Sequence, residues 1–289
     1  MDANILSSAR QLIADSVRSR VVGANPDQRA RELFEAPGKR WFADDRPIKI
    51  VHSDTSMFIG GLRALLLQSL HPLAMAGVAQ HSDFRADPWG RLQRTADFLA
   101  STTFGPASEA QRAIDMVKRV HTRVVGTATD GRPYSANDPH LLKWVHLAEL
   151  DSFLSAHDAY GEVRLDNDRR DGYVEDMAVI AEALGVIDAP KSVQELKDQL
   201  RAYRPELMTT PEARDVARYL LLTPPMPLVI RPAYGILGVA AVGLLPLWAR
   251  RSLRLPWLPI SERVLVRPAA TAMVGTLRWA LAPQAPFSQ

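Results

Sequence analysis

Seven histidines, at positions 52, 71, 81, 121, 140, 146 and 157, carry most of the chemistry this chain can offer, because it has no cysteine. Without thiols there is no disulfide scaffold, no thiolate iron–sulfur cluster, no cysteine zinc site and no thiol nucleophile. Two of the histidines fall within apolar helical patterns. His121 follows Met116, Val117 and Val120, and His146 lies among Leu142, Trp144, Val145, Leu147 and Leu150. An imidazole on such a face can ligate a heme iron or another metal. The plain alternative is a core histidine whose nitrogens are satisfied by neighbours.

A second set is Arg91-x-x-Arg94-Thr95. Positions i, i+3 and i+4 of a helix share a face, so two guanidiniums and a hydroxyl would point one way. Such a face suits an anion such as a porphyrin propionate, with Thr95 left to hydrogen-bond a small ligand. Ion pairs with Asp87, Asp97 or Asp115 are the ordinary alternative. A third set is His157-Asp158, which with His121 upstream faintly mimics the metal-binding pattern of HD-type phosphohydrolases. A Gly-rich phosphate loop, a Rossmann fingerprint, a serine elbow and His-Glu-x-x-His are all missing from the sequence.

The elements that must position these residues read as helices nearly throughout. Helical spacing covers Ala3 to Val22, Gln28 to Phe34, Ser56 to Leu70 and Pro72 to Gln80. Asp87-Pro88 and Asp138-Pro139 each pair a cap with a proline at the first helical position. They open helices running to about Phe104 and Tyr160. Ser108 with Gln111 and Ser192 with Glu195 read as capping boxes, and Thr210-Pro211 starts a further helix. Gly38 to Asp54 reads as irregular with an extended piece at 48–51, and no hairpin signal stands out. The expected fold is all-α: roughly ten helices, with an N-terminal helical arm over 1–37 and one compact domain over 38–289.

A hydrophobic fraction of 47% against 23% charged is that of a globular chain, not a disordered one. The net charge of +3 is too small to predict nucleic-acid binding. Its distribution is uneven. From Pro224 onward seven arginines face the single acid Glu262, a net +6, which leaves −3 for the first 223 residues. Within that basic tail, 233–249 is almost wholly apolar and admits three readings: a buried core helix, an interfacial segment or a span. Peripheral membrane contact through 224–251 is the expectation. Met1 to Asn4 show no secretory pattern, which predicts a cytoplasmic, membrane-associated setting.

Several segments occur in a telling order: Gly60-Gly61-Leu62-Arg63 to His71-Pro72, then Asp87-Pro88-Trp89-Gly90-Arg91-Leu92-Gln93-Arg94-Thr95, then Val120-His121-Thr122-Arg123-Val124-Val125-Gly126. Tyr134-Ser135-Ala136-Asn137-Asp138-Pro139, Trp144-Val145-His146 and Asp151-Ser152 follow. Over about residues 40–270 the chain resembles the MpaB / rubber-oxygenase (latex clearing protein) family. The resemblance implies a globin-reminiscent helical fold holding one heme b, and oxidative cleavage of an isoprenoid double bond with dioxygen. It implies His121 as the axial ligand of the heme iron, with His146 in reserve. Arg91, Arg94 and Thr95 fall on the family's Arg-x-x-Lys/Arg-Thr element of the heme pocket, Arg94 standing where rubber oxygenases carry lysine. Thr95 or His71 would donate a hydrogen bond to the small ligand. The resemblance assigns no residue here to the rubber oxygenases' catalytic glutamate. The expected partners are dioxygen and a small apolar substrate. A non-catalytic heme or lipid carrier and an HD-like hydrolase are the alternative functions.

Overall fold

The computed structural model describes residues 2–21, 23, 25–82 and 85–282. In chain order the helices are α1 (Asp2–Val21), α2 (Pro26–Phe34), α3 (Pro47–Ser53), α4 (Met57–Gln68), α5 (Pro72–His81), α6 (Pro88–Phe104) and α7 (Ala107–His121). A hairpin of β1 (Val125–Thr127) and β2 (Pro133–Ser135) follows. Then come α8 (Pro139–Tyr160), α9 (Asn167–Leu184), α10 (Val193–Ala202), a 3-10 turn Arg204–Glu206, α11 (Pro211–Leu222), α12 (Arg231–Leu244) and α13 (Leu247–Leu253). The short α14 (Pro259–Ser261) runs through a π-helical turn, Glu262–Val266, into α15 (Arg267–Leu281). The fold is all-α apart from the small hairpin.

The helix starts follow from local chemistry. Asp87 accepts from the Gly90 N–H, Asp138 from that of His140, Ser192 from that of Glu195 and Thr210 from that of Ala213. Each satisfies a donor that the first turn would leave orphaned. Ser108 does no such thing: α7 begins at Ala107 behind Pro106 without a side-chain cap, and Gln111 instead reaches Asp115 at 2.9 Å. The segment 48–51 is helical, not extended. Ile48 and Val51, three apart, are both fully buried, and Asp176 of α9 accepts the Ile48 N–H at 3.2 Å, capping α3 from outside. The hairpin is also a departure from expectation. Its strands pair Val125 with Ser135, Gly126 with Tyr134 and Thr127 with Pro133, too short to leave an alternating pattern. Gly126 is required because a Cβ there would lie 2.6 Å from the Tyr134 hydroxyl.

Helices α4 and α8 cross at the centre of the molecule. Gly60 permits the approach, since a Cβ would come within 2.8 Å of the Phe153 ring and 3.2 Å of its Cα. Leu66, Leu67 and Leu70 meet Trp144, Leu147, Leu150 and Tyr173 in the main core. Arg63, buried on α4, pairs with Asp151 at 2.6 Å and donates to Ser152 Oγ at 2.7 Å and to the Leu244 carbonyl at 3.1 Å. One guanidinium thus ties α4, α8 and α12 together.

No single helix among the described residues is long and apolar enough to cross a membrane. The apolar run 233–249 is instead a corner: α12 and α13 meet at 119°, broken at Pro246, and α12 packs against α4 and α15. Buried Arg250 closes that corner through the Leu245 carbonyl at 3.0 Å and Glu262 at 2.6 Å. The lone acid of the basic tail is therefore spent inside. The tail exposes apolar surface at Leu228 and Val229, beside the exposed Arg231, and again at Trp257, Leu258, Ile260, Val264 and Leu265, interspersed with the exposed Arg254, Arg263 and Arg267. At the other terminus, α1 lies along α6 and α15, with Arg10 over the Trp279 ring and Arg20 over Trp89.

Candidate functional site

Helices α6 and α7 are joined by Gly105 and Pro106 alone and pack as an antiparallel pair. The first turn of α6, with Arg91, and the last turn of α7, with His121, therefore lie at the same end. His121 Nδ1 is buried and has no hydrogen-bond partner. Burial lowers its pKa, opposed by a hydrogen bond to the Ala136 backbone, so the ring is neutral at neutral pH. Arg91 donates to Ser82 Oγ at 2.7 Å but meets no carboxylate among the described residues. Burial and the neighbouring Arg94 charge both depress its pKa. A desolvated guanidinium without a counter-ion and a buried imidazole nitrogen without a partner are each costly as they stand. Both would be relieved by one ligand that is anionic at its edge and a Lewis acid at its centre.

The expected common face of Arg91, Arg94 and Thr95 divides. Arg94 is 70% exposed, pairs with Asp87 at 3.1 Å and lines a surface groove with Arg29, Glu32 and Asp97 between α2 and α6. Thr95 is exposed and donates its hydroxyl to the Arg91 carbonyl at 3.1 Å. Only Arg91 of the three turns inward.

On α8, Leu142, His146, Glu149 and Phe153 share one face by helical spacing. His146 is buried, its Nε2 has no partner, and burial lowers its pKa to about 4. Glu149 was not singled out by the sequence reading. Its carboxyl makes no hydrogen bond or ion pair with a described residue, and burial raises its pKa to about 7. Burial thus keeps the protonated carboxyl in place where an exposed one would ionise. The residue as a whole is only partly buried. Phe98, Leu99 and Val145 pack on the core but are likewise only partly buried. Beneath them a satisfied network joins three helices: His52 Nδ1 lies 2.7 Å from Thr103 Oγ1 and its Nε2 3.2 Å from the Tyr173 hydroxyl. Burial takes the His52 pKa down to about 3 and the Tyr173 pKa well up, with the Glu149 charge adding to the latter.

His71 belongs elsewhere. It caps α5, is 1% exposed, and packs against Trp144 and Tyr203 with His140 and Glu206 beside it. His140 and Trp144, four apart on α8, occupy a face away from that of His146 and Glu149. The structure thus does not bring His71 to Arg91 and His121, nor to Thr95. The HD-like set also fails to assemble among the described residues. Asp158 is held by Arg170 at 2.7 Å, and His157 joins no group of three potential metal ligands.

Residues 49–279 match the family model described as "ER-bound oxygenase mpaB/B'/Rubber oxygenase, catalytic domain". The match spans most of the chain, and the chain belongs to this family. It is an oxygenase catalytic domain, with Arg91, His121, His146 and Glu149 all inside the matched region. Neither the curated proteins nor the solved structures contain a match to it.

Proposed function

We propose that this oxygenase works with heme b, held through His121, and acts on an apolar, isoprenoid- or lipid-like substrate. One observation supports this above the others: the unpartnered buried nitrogen of His121 and the counter-ion-free Arg91 lie at one end of the α6–α7 pair. These residues fit a heme. A neutral imidazole is the ligand type iron takes, and Arg91 suits a propionate. When bound, the heme supplies the redox chemistry by which dioxygen is added to a carbon–carbon double bond.

The chain's own residues do the rest. His121 ligates and fixes orientation. Arg91 neutralises the carboxylate edge. Phe98, Leu99 and Val145 provide apolar surface that excludes water from the reacting groups. Glu149, poised near neutrality by burial, holds or releases a proton at its carboxyl oxygens. His146 is the reserve ligand. Arg94, Thr95 and His71 make their contacts elsewhere and have no part in this reading.

An apolar substrate must reach the site from somewhere wet or greasy. The exposed 257–265 segment with its arginines suits contact with an anionic lipid surface, and so does the exposed start of the 224–251 stretch, with Leu228 and Val229 beside Arg231. Oxygen uptake by heme-loaded protein with a polyisoprenoid, against a saturated analogue of equal length, tests the reading. Uptake only with the unsaturated chain, accompanied by carbonyl products, is expected. Equal uptake or none with both would overturn it.

A further inference from the structure

The cluster of His71, His140 and Glu206 has a chemistry that the oxygenase site does not use. Three elements converge there: the residue capping α5, the first turn of α8 and the 3-10 turn after α10. One ligand atom from each lies within 4.8 Å of the other two. Glu206 Oε2 stands 2.7 Å from His140 Nε2 and 3.5 Å from His71 Nε2. We propose that these three side chains bind a divalent transition-metal ion, zinc by preference, with a fourth position open to water.

The donor set of two imidazoles and a carboxylate is one that zinc takes when it keeps an open position. Ligands held about 2.0–2.1 Å from a tetrahedral ion lie roughly 3.3 Å apart. The His71–Glu206 separation already matches. The His140–Glu206 pair must open by about half an ångström, and both side chains are exposed enough to do so, at 51% and 39%. His71 is the fixed member: it is 1% exposed, and its Nε2 has no hydrogen-bond partner.

The surroundings suit an ion. The Tyr203 hydroxyl lies 2.8 Å from the His140 carbonyl and 3.2 Å from His140 Nδ1. Without an ion, Nε2–H donates to Glu206; an ion would displace that proton, and the Tyr203 hydroxyl, donating to the His140 carbonyl, is placed to accept from Nδ1–H once Nε2 is a ligand. The ring itself stacks on Tyr203 at 4.6 Å. His71 Nδ1 accepts the Ala74 N–H only at 3.5 Å, so little is lost when its proton moves to Nδ1 and frees Nε2. Arg132, which acts on His71 and Glu206 through its charge, is engaged by Asp130 at 2.7 Å. Because the ligands come from three elements, the ion would pin α5 and α8 to the turn after α10.

The test is zinc titration of the full chain by calorimetry, with elemental analysis after dialysis and the same titration on His140→Ala and Glu206→Gln. Both substituted residues are partly exposed, so the variants keep the fold, which circular dichroism checks. We expect one zinc per chain in the parent, at least tenfold weaker binding in each variant, a rise in Tm with zinc in the parent alone, and unchanged heme content in all three. Cobalt(II) in place of zinc should show the visible bands of a four-coordinate site, lost in both variants. A parent that retains no zinc, or variants that bind it as tightly as the parent, would overturn the proposal whatever the heme result.

Discussion

Replacing Glu149 by glutamine isolates the claim that burial holds its carboxyl out of water. Burial moves its midpoint from 4.5 to about 7. Below pH 4.5 the acid is protonated in folded and unfolded chains alike, and burial costs it little. Between 4.5 and 7 the unfolded chain gives up the proton while the folded chain keeps it, so stability falls as pH rises. Above 7 the full cost is present, about 3 kcal/mol at 1.36 kcal/mol per decade. Glutamine has nothing to titrate. Urea unfolding of parent and Glu149→Gln should therefore diverge with pH, the variant gaining about 2–3 kcal/mol on the parent between pH 5 and pH 8. In thermal scans that is roughly 5–10 °C. His52 and His146 destabilise the fold in acid, as rings whose pKa burial lowers, but they do so equally in both proteins and cancel. A difference between the two proteins that stays constant from pH 5 to pH 8 would refute the reasoning and place the carboxyl in water.

Other outcomes follow from the same contacts. Arg63→Leu leaves Asp151 without its partner and frees the Leu244 carbonyl, and should cost about 3 kcal/mol in urea unfolding. Arg91→Ala should lower heme retention on gel filtration with little loss of stability, since the guanidinium gives up only its bond to Ser82. Trp257→Ser with Leu258→Ser should weaken co-sedimentation with vesicles containing phosphatidylglycerol, and the parent should bind those far better than phosphatidylcholine vesicles. Binding that ignores both the substitutions and the lipid charge would remove 257–265 from the account.

Much of the frame was legible because caps and prolines act locally. Asp87-Pro88, Asp138-Pro139 and Thr210-Pro211 mark helix starts that the structure reproduces to the residue. The failures have long-range causes. Residues 48–51, Ile-Lys-Ile-Val, are too few to fix a period, and what makes them helical is a cap from Asp176, 128 positions away. The hairpin strands have three residues each, below the length at which alternation shows. The 233–249 run is apolar enough for lipid, and only its packing against α4 and α15, with the break at Pro246, makes it a core corner.

The site divides in the same way. As candidates, His121 and Arg91 stood out in the sequence because each sits in a motif. Glu149 could not, since a lone acid in an apolar helix looks like a surface residue. The one available signal was its i+3 spacing from His146, which puts both on the same face. The joining of His140 to Glu206 spans 66 positions, and no local pattern announces it.

The central claim is that His121 holds an iron porphyrin. The direct measurement is the absorption spectrum, oxidised and then reduced, of protein purified after expression with ample heme, beside His121→Ala and His146→Ala prepared identically. A strong Soret band in the parent and in His146→Ala, shifting on reduction and absent from His121→Ala, is the result predicted. A colourless parent, or an undiminished band in His121→Ala, would contradict it.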